Sequence, residues 1–235
     1  APIRPQMCIV GEPTGLAVAT GHKCKIAARA KCTGRAGHSA LAPFAVNALY
    51  LATEFITELR KVQDGLRLGV VQDLDYDVPY TTLHVGRIAG GGALNIVPHS
   101  CELDFEIRNL AQDNPAEILE KLRQAADLIA LSARNVASEA NIEIEVFNTY
   151  PGLDTPSSAP VVGFVKSLMG ANGTIKVAYG TEGGLFDQSL GVPTVVCGPG
   201  DMAQGHKPDE FITEAQLAAC DTMLVNLLQR LVAGI

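Results

Sequence analysis

Residues 23–33 read KCKIAARAKCT, and the alternation in this stretch decides the fold. Cys24, Ile26, Ala28, Ala30 and Cys32 fall on one face of an extended chain, and Lys23, Lys25, Arg29 and Lys31 on the other. That period of two belongs to a strand with one face buried and one in water. Residues 100–108, SCELDFEIR, repeat the pattern with the opposite charge: Cys101, Leu103, Phe105 and Ile107 inward, Glu102, Asp104 and Glu106 outward. Residues 141–146, NIEIEV, turn Glu143 and Glu145 outward, and residues 81–88, TTLHVGRI, form a fourth, weaker strand.

Two helical stretches separate these strands. Residues 44–64 place Val46, Leu49, Ile56 and Leu59 on one stripe that stops at Gly65. Residues 115–137 do the same with Ile118, Leu122, Ala125, Ile129 and Val136, opened by Asn114 as N-cap and Pro115 at the first helical position. The order is βαββαβ, the ferredoxin-like plan, in which the first strand lies between the third and the fourth. The basic face of 23–33 then sits between two acidic faces, so cross-strand charge pairing supports the same topology independently of the apolar pattern.

The texture changes on either side. Residues 6–13, QMCIVGEP, read as a buried strand, and 174–180 and 192–198 as nearly continuous apolar strands of the kind that helices cover on both faces. The last helix opens with a capping box, Thr213 to Gln216, and then carries Leu217, Cys220, Leu224, Leu227 and Leu231 as an apolar stripe. The fold class is therefore α/β, with a ferredoxin-like module (22–148) inserted into an α/β domain (1–21 and 149–235), crossing near Gly21 and residues 148–152.

Composition excludes several classes. The 235 residues are 47% hydrophobic and 18% charged, as in a globular protein. A net charge of -7 speaks against nucleic acid or an anionic membrane as partner. No apolar run reaches the ~18 residues of a membrane span, and the start, APIRPQMCIV, lacks a signal peptide's plan, so a cytoplasmic location is expected. Six cysteines without a CxxC read as reduced, buried thiols. Cys24 and Cys32 would lie roughly 26 Å apart on one strand, far beyond disulfide reach.

Six stretches carry candidate chemistry. His38 lies among small residues in GRAGHSALAP (34–43), Asn95 in the glycine-rich connection GGGALNIVPHS (90–100), and Arg108 at the end of the third strand. Gly180 and Thr181 lie in YGTEGGLFDQ (179–188), after a strand, where α/β sheets bind ligands. Glu12 occupies a similar place in VGEPTG (10–15), and His206 stands in the loop GPGDMAQGHKPDEF (198–211). Each alone also reads as an ordinary surface, turn or paired residue.

In order and spacing, CIVGEPT, GRAGHSA, GGGALNIVP with CELDFEIR, GTEGGLF and GPG followed by GHKPDEF resemble the M20 family of zinc amidohydrolases, in its acetylornithine deacetylase branch. The resemblance covers essentially the whole chain. It implies an aminopeptidase-like catalytic domain, here incomplete, carrying the ferredoxin-like module as dimerisation domain. It implies Glu12 and His206 as ligands of two different metals in a pair of zinc ions, or of cobalt in their place. His38 would reach across a homodimer to hold the oxyanion, Asn95 and Arg108 would grip the substrate carboxylate, and Gly180 and Thr181 would meet substrate from their loop.

The substrate so implied is an N-acyl amino acid, N-acetylornithine first, in arginine biosynthesis. Desuccinylases of the family place an arginine where this chain has Leu185, which cannot pair a second carboxylate. Desuccinylase-like, dipeptidase or carboxypeptidase activity stay as alternatives, as does a non-catalytic dimerisation or amino-acid-binding module. Family members also carry, ahead of GEPT, a segment with an HxD motif and the general base. No such motif precedes Glu12 here, so the expectation is a C-terminal portion that is inactive alone.

Overall fold

The computed structural model describes residues 5–234, so the expected domain limits run at both ends into residues outside the described ones. In chain order the first elements are β1 (Cys8–Pro13), β2 (Ala19–His22), β3 (Lys25–Thr33), β4 (Gly37–His38), α1 (Ala48–Leu68), β5 (Thr82–Gly90) and β6 (Ile96–Val97). There follow β7 (Ser100–Arg108), α2 (Pro115–Ala133), β8 (Asn141–Tyr150), β9 (Leu153–Asp154) and α3 (Pro160–Met169). The chain closes with β10 (Ile175–Val177), α4 (Gly183–Leu190), β11 (Thr194–Gly198) and α5 (Glu214–Ala233). Two compact units result: one of Lys25–Asp73 and Tyr80–Thr149, the other of the chain up to Cys24, Leu74–Pro79 and the chain from Tyr150 onward.

The first unit is the ferredoxin-like module. Its sheet runs β5-β7-β3-β8, with β7 antiparallel to both β5 and β3, so the first strand of the module does lie between the third and the fourth. Ile26, Ala28, Ala30 and Cys32 pack with Leu103, Phe105 and Ile107 under α1 and α2, and Phe55 meets Phe105 edge-on at 5.8 Å. On the other face Arg29 holds Asp104 at two points, Nε to Oδ1 at 2.6 Å and Nη2 to Oδ2 at 3.0 Å, and Lys31 holds Glu145 at 2.7 Å. The expected pairing of basic and acidic faces is present.

Several details differ from the sequence reading. Residues 39–44 form a 3-10 turn containing Pro43, and α1 starts only at Ala48, capped by Asn47, whose Oδ1 accepts from Leu49 N at 2.9 Å. The helix then runs through Gly65 to Leu68, because a glycine inside a helix costs only about 1 kcal/mol and does not stop it. Its core stripe is Ala48, Leu51, Ala52, Phe55 and Leu59, a shift that leaves Leu49 and Ile56 at the margin. α2 ends at Ala133, four residues early, while its Asn114 cap is as expected, with Oδ1 accepting from Ala116 N at 3.0 Å.

Lys23 and Cys24 do not belong to the strand. Lys23 is buried, its ammonium donating to Val78 O at 2.9 Å and lying 5.5 Å from the centre of the Tyr76 ring. The sulfur of Cys24 accepts from Gly152 N at 3.1 Å. Both therefore serve the second unit. All six cysteines are free, and Cys32, Cys101 and Cys197 are buried.

The second unit is a sheet in the order β1-β11-β2-β10, with β9 also paired to β2. β1 and β11 are parallel, as are β2 and β10, while β2 is antiparallel to β11 and β9. β2 is buried throughout but carries ATGH, which has no periodicity to betray a strand. β10 is three residues long and runs from exposed Ile175 to buried Val177 at the end of the strand order, with Lys176 paired to Asp154 at 2.5 Å, so 174–180 holds a short edge strand rather than one buried throughout. α3 and α5 cover one face through Val161, Val165, Leu168, Val195 and Met223. α4 packs over the other, near Leu153 and Thr194.

α5 departs most from expectation. Thr213 caps it, its Oγ1 accepting from Gln216 N at 3.2 Å, but Gln216 Oε1 accepts from Gly200 N instead of closing the box. Only Met223 is fully buried, flanked by Ala219, Cys220 and Leu227, whereas Leu217, Leu224 and Leu231 of the expected stripe are exposed. Among the described residues no helix is long and apolar enough to cross a membrane.

Candidate functional site

Parallel strands deliver their carboxyl ends to one side of a sheet, and the pairing of Pro13 with Gly198 brings the ends of β1 and β11 together. The register slips between Val10 and Pro13, and Glu12 lies in that irregular step, half-buried. Thr14 N donates to Gly198 O at 3.1 Å and Gly15 N to Gly200 O at 2.7 Å, which ties the two chain exits to each other. Tyr179, which the sequence reading passed over, donates its hydroxyl to Pro13 O at 2.6 Å. Burial, and then the carboxylates of Glu12 and Asp201, push its pKa up to about 12, so it remains a protonated donor. Its signal in the sequence was its place directly before GTEGG. A cleft of about 330 Å³ opens here between Pro13, Asp201, Gln204, Glu210 and Phe211.

His206 stands on the loop beyond β11, exposed, with φ +57°. That left-handed conformation costs a non-glycine residue about 1 kcal/mol. Its N–H donates to Glu210 Oε2 at 3.0 Å, and Asp209 nearby is also left-handed at φ +60°. Glu12 and His206 thus belong to the same end of one sheet. Yet among the described residues no three His, Cys, Asp or Glu side chains stand close enough to hold a metal ion. A catalytic zinc takes three protein ligands and an open position, so the donors of this chain do not by themselves fit one.

Thr181 is buried, and its Oγ1 accepts from Gly183 N at 3.0 Å, which fixes the hydroxyl at the start of α4 with its proton left to donate. Gly180 has a steric reason: a Cβ there would lie 2.1 Å from the Tyr150 ring. His22, at the end of β2 opposite Val177, was also passed over. It is fully buried, with Nδ1 3.1 Å from Lys23 O and no hydrogen-bond partner for Nε2 among the described residues. Burial draws its pKa down, so the ring is neutral. Nothing in the sequence around TGHK distinguished it.

In the ferredoxin-like unit, β4 and β6 form a short antiparallel ribbon that pairs His38 with Ile96. Ser39 N donates to Asn95 O at 3.0 Å, so His38 and Asn95 are neighbours. Gly34 lets the ribbon start, because a Cβ there would lie 2.1 Å from Val46 O. His38 is exposed, and its Nδ1 accepts from Ala40 N at 3.2 Å. An acceptor Nδ1 puts the proton on Nε2 and makes that nitrogen a donor. Phe44, Tyr50, Leu94 and Ile96, all large and exposed, lie in the same part of the chain.

Arg108 is not part of this group. It closes β7 at the end opposite Ser100, roughly 26 Å of strand away at ~3.3 Å per residue. Its Nε and Nη2 donate to Glu106 Oε1 and Oε2, each at 3.1 Å. Asn95 and Arg108 therefore lie toward opposite ends of β7.

Residues 20–133 match the model of the M20 peptidase dimerisation domain. The chain is 33% identical over 213 residues, 91% of its length, to the acetylornithine deacetylase of Yersinia pestis, of which it spans 53%. It is 31% identical over 99% of its length to that of Pasteurella multocida, of which it spans 59%. Among solved structures it resembles the aminopeptidase PepT from Bacillus cereus, with TM-score 0.76 at 20% identity, covering 96% of this chain and 57% of that one. A tripeptidase from Staphylococcus aureus superposes with TM-score 0.74 at 21% identity, covering 96% and 57%. Below 25% identity these two carry the fold alone.

Proposed function

We propose that the chain belongs to the M20 peptidase family, the model of whose dimerisation domain residues 20–133 match, and that it forms part of a metal-dependent amidohydrolase. The reaction would cleave N-acetylornithine with water to ornithine and acetate, a step of arginine biosynthesis. The observation that carries this reading is the extent of the similarity. The match to the Pasteurella multocida acetylornithine deacetylase, at 31% identity, runs over 99% of the chain and so extends well beyond the dimerisation domain. Leu185, exposed at the start of α4, adds no charge that would select a second carboxylate.

In this reading His38 and Asn95 act on the site of a second copy, and Arg108 acts within its own. The exposed apolar residues beside His38 favour a protein partner over water, and a second copy is the symmetric choice. His38 Nε2–H donates to the oxygen on which negative charge develops, a role supported by the Nδ1 contact with Ala40 N, which leaves Nε2 to donate. Arg108 exchanges the Glu106 carboxylate for that of the substrate, with the same two-point geometry. Tyr179 and Thr181 hold the loop and backbone about the scissile amide.

Glu12 and His206 supply one metal donor each, and the other donors and the general base come from outside this chain. Among the described residues the donors present do not complete a metal site. The same shortage of donors favours a second reading, a non-catalytic dimerisation or amino-acid-binding module.

The test is to supply, as a separate polypeptide, the part of the Yersinia pestis deacetylase that this chain does not match, with zinc or cobalt, and to follow ornithine release. N-succinyl-diaminopimelate and dipeptides are assayed in parallel. Preferred turnover of N-acetylornithine supports the proposal. A preferred dipeptide or succinylated substrate replaces the substrate assignment, and stable assembly with no hydrolysis of any of them leaves the non-catalytic reading.

A further inference from the structure

β10 is weakly held by its own backbone. It is three residues long, lies at the end of the strand order and, among the described residues, pairs only with β2. Short edge strands with few partners are where local opening starts. Tyr179 and Thr181 follow shortly after Val177, so whatever steadies β10 also steadies the loop that carries them. Lys176, at the centre of β10, is held from elsewhere. Its stem crosses β2 at Gly21, in the space a Cβ there would take, 2.9 Å from its Cδ. Its ammonium bonds Asp154 of β9 at 2.5 Å and lies 5.6 Å from the centre of the Tyr76 ring. A lysine on an edge strand ordinarily points into water, yet this side chain is only 11% exposed.

Tyr76 comes from a distant part of the chain. It lies in the connection between α1 and β5, from which Leu74–Pro79 leave the ferredoxin-like unit and join the other one. Those residues form no strand or helix, and Tyr76 alone among them is buried. Its ring also lies 5.5 Å from the ammonium of Lys23, which donates to Val78 O at 2.9 Å. An ammonium is attracted to the negative face of an aromatic ring, the more so when both are shielded from water. One ring is thus shared by ammonium groups from β10 and from the residue after β2. The ring and Val78 O are points at which a segment without a backbone ladder is fixed.

We propose that Leu74–Pro79 act as a strap on β10, and that Tyr76 is a positioning residue: through Lys176 it holds the strand that presents Tyr179 and Thr181. The strap rests on these contacts alone, and its bearing on substrate rests on the reading of Thr181 given above.

The experiment compares the parent chain with Tyr76→Ala, Tyr76→Phe and Lys176→Met. Amide hydrogen exchange is followed at residues 176–181 and, as reference, in β11. Tyr76→Ala should speed exchange at 176–181 at least about tenfold, as expected when both ammonium–ring contacts are lost, with β11 unchanged. Tyr76→Phe keeps the ring face and should restore parental exchange. Lys176→Met keeps a stem across Gly21 but no charge, and should loosen the same residues; it decides the matter if Tyr76→Ala does not fold. In the chain assembled with the unmatched part of the Yersinia pestis deacetylase, Tyr76→Ala should raise KM for N-acetylornithine more than it lowers kcat, again with rescue by Tyr76→Phe.

Equal loosening of β11 would make Tyr76 a general stabiliser, and unchanged exchange at 176–181 in the variants that lose the ring or the charge would remove the strap. Either result overturns the proposal. Loosened exchange with KM unchanged upholds the strap and counts against Thr181 as a substrate contact. The exchange measurement needs no activity, so a failure of the enzymatic reading leaves it intact.

Discussion

Asn95 sits beside His38 beyond the Ser100 end of β7, and Arg108 closes the other end, with roughly 26 Å of strand between. One copy therefore cannot bring all three to one substrate. If His38 and Asn95 serve the neighbouring site and Arg108 its own, subunits defective in different groups should complement. In the assembled enzyme, His38→Ala and Arg108→Ala homodimers should each be nearly inactive. Mixing equal amounts with subunit exchange should restore about a quarter of parental turnover, since half the dimers are mixed and each keeps one intact site. No recovery despite proven exchange would place His38 and Arg108 in the same site.

The tautomer of His38 gives a second test. With Nδ1 accepting from Ala40 N, the ring should show a protonated Nε2 by nitrogen NMR near neutral pH. His38→Ala in the assembled enzyme should lower kcat by about 10² to 10³ while metal content stays constant, the usual loss when one donor to developing charge is removed. Loss of metal from this variant would make His38 a ligand instead, and unchanged kcat would make it an ordinary surface residue.

If Arg108 binds a substrate carboxylate it must leave Glu106, so the two positions should act in opposite directions. Arg108→Lys should raise KM for N-acetylornithine more than it changes kcat, because an ammonium cannot reproduce two parallel bonds. Glu106→Gln removes the competing carboxylate and should lower KM a few-fold, within the ~0.2–1 kcal/mol typical of partly exposed pairs. A KM raised by Glu106→Gln would mean that the pair orients Arg108 rather than competing for it.

The ferredoxin-like unit was legible because each of its strands is half-buried, so alternation and charge both report the faces; Arg29 opposite Asp104 is where the two signals agree. The other unit was less so. Strand β2 is buried on all sides and carries Thr20 and His22, so no period marks it. The exposure of Leu217, Leu224 and Leu231 on α5 is not legible in the sequence, because their spacing suits a core face and cannot say which of two apolar faces is covered. Among the site residues, His38 and Thr181 were visible as loop residues beside glycines, whereas Tyr179 is singled out only by its bond to Pro13 O and its neighbours Glu12 and Asp201.

Acid should destabilise the ferredoxin-like unit through its ion pairs. Arg35 donates to Glu139 at 2.8 and 2.6 Å and draws its pKa from 4.5 to about 2; Arg29 lowers that of Asp104, and Lys31 that of Glu145. A carboxylate depressed on folding contributes stability that is fully present above its unfolded pKa and is lost as pH falls through the folded one. The denaturation midpoint should therefore drop between about pH 4.5 and pH 2, and Glu139→Gln should flatten part of that slope. High salt should reduce the difference, as the pair is exposed. A parental slope retained in the variant would remove Glu139 from the account.

The last prediction concerns the metal. Glu12 is half-buried in β1, His206 is exposed on a left-handed turn, and among the described residues no third donor joins either. A structural zinc takes four protein ligands and a catalytic one three, and binding by one carboxylate or one imidazole is weak and easily displaced by water. If the two residues serve different ions, as proposed, each ion finds a single donor in this chain. The isolated chain should therefore bind zinc no better than its Glu12→Gln and His206→Ala variants when titrated calorimetrically. In the complex with the unmatched part of a relative, both variants should lose metal, since each then removes one of several donors. Tight binding of one zinc per isolated chain, abolished by either substitution, would show that Glu12 and His206 converge on one ion. The assignment of the two residues to separate metals would then fall.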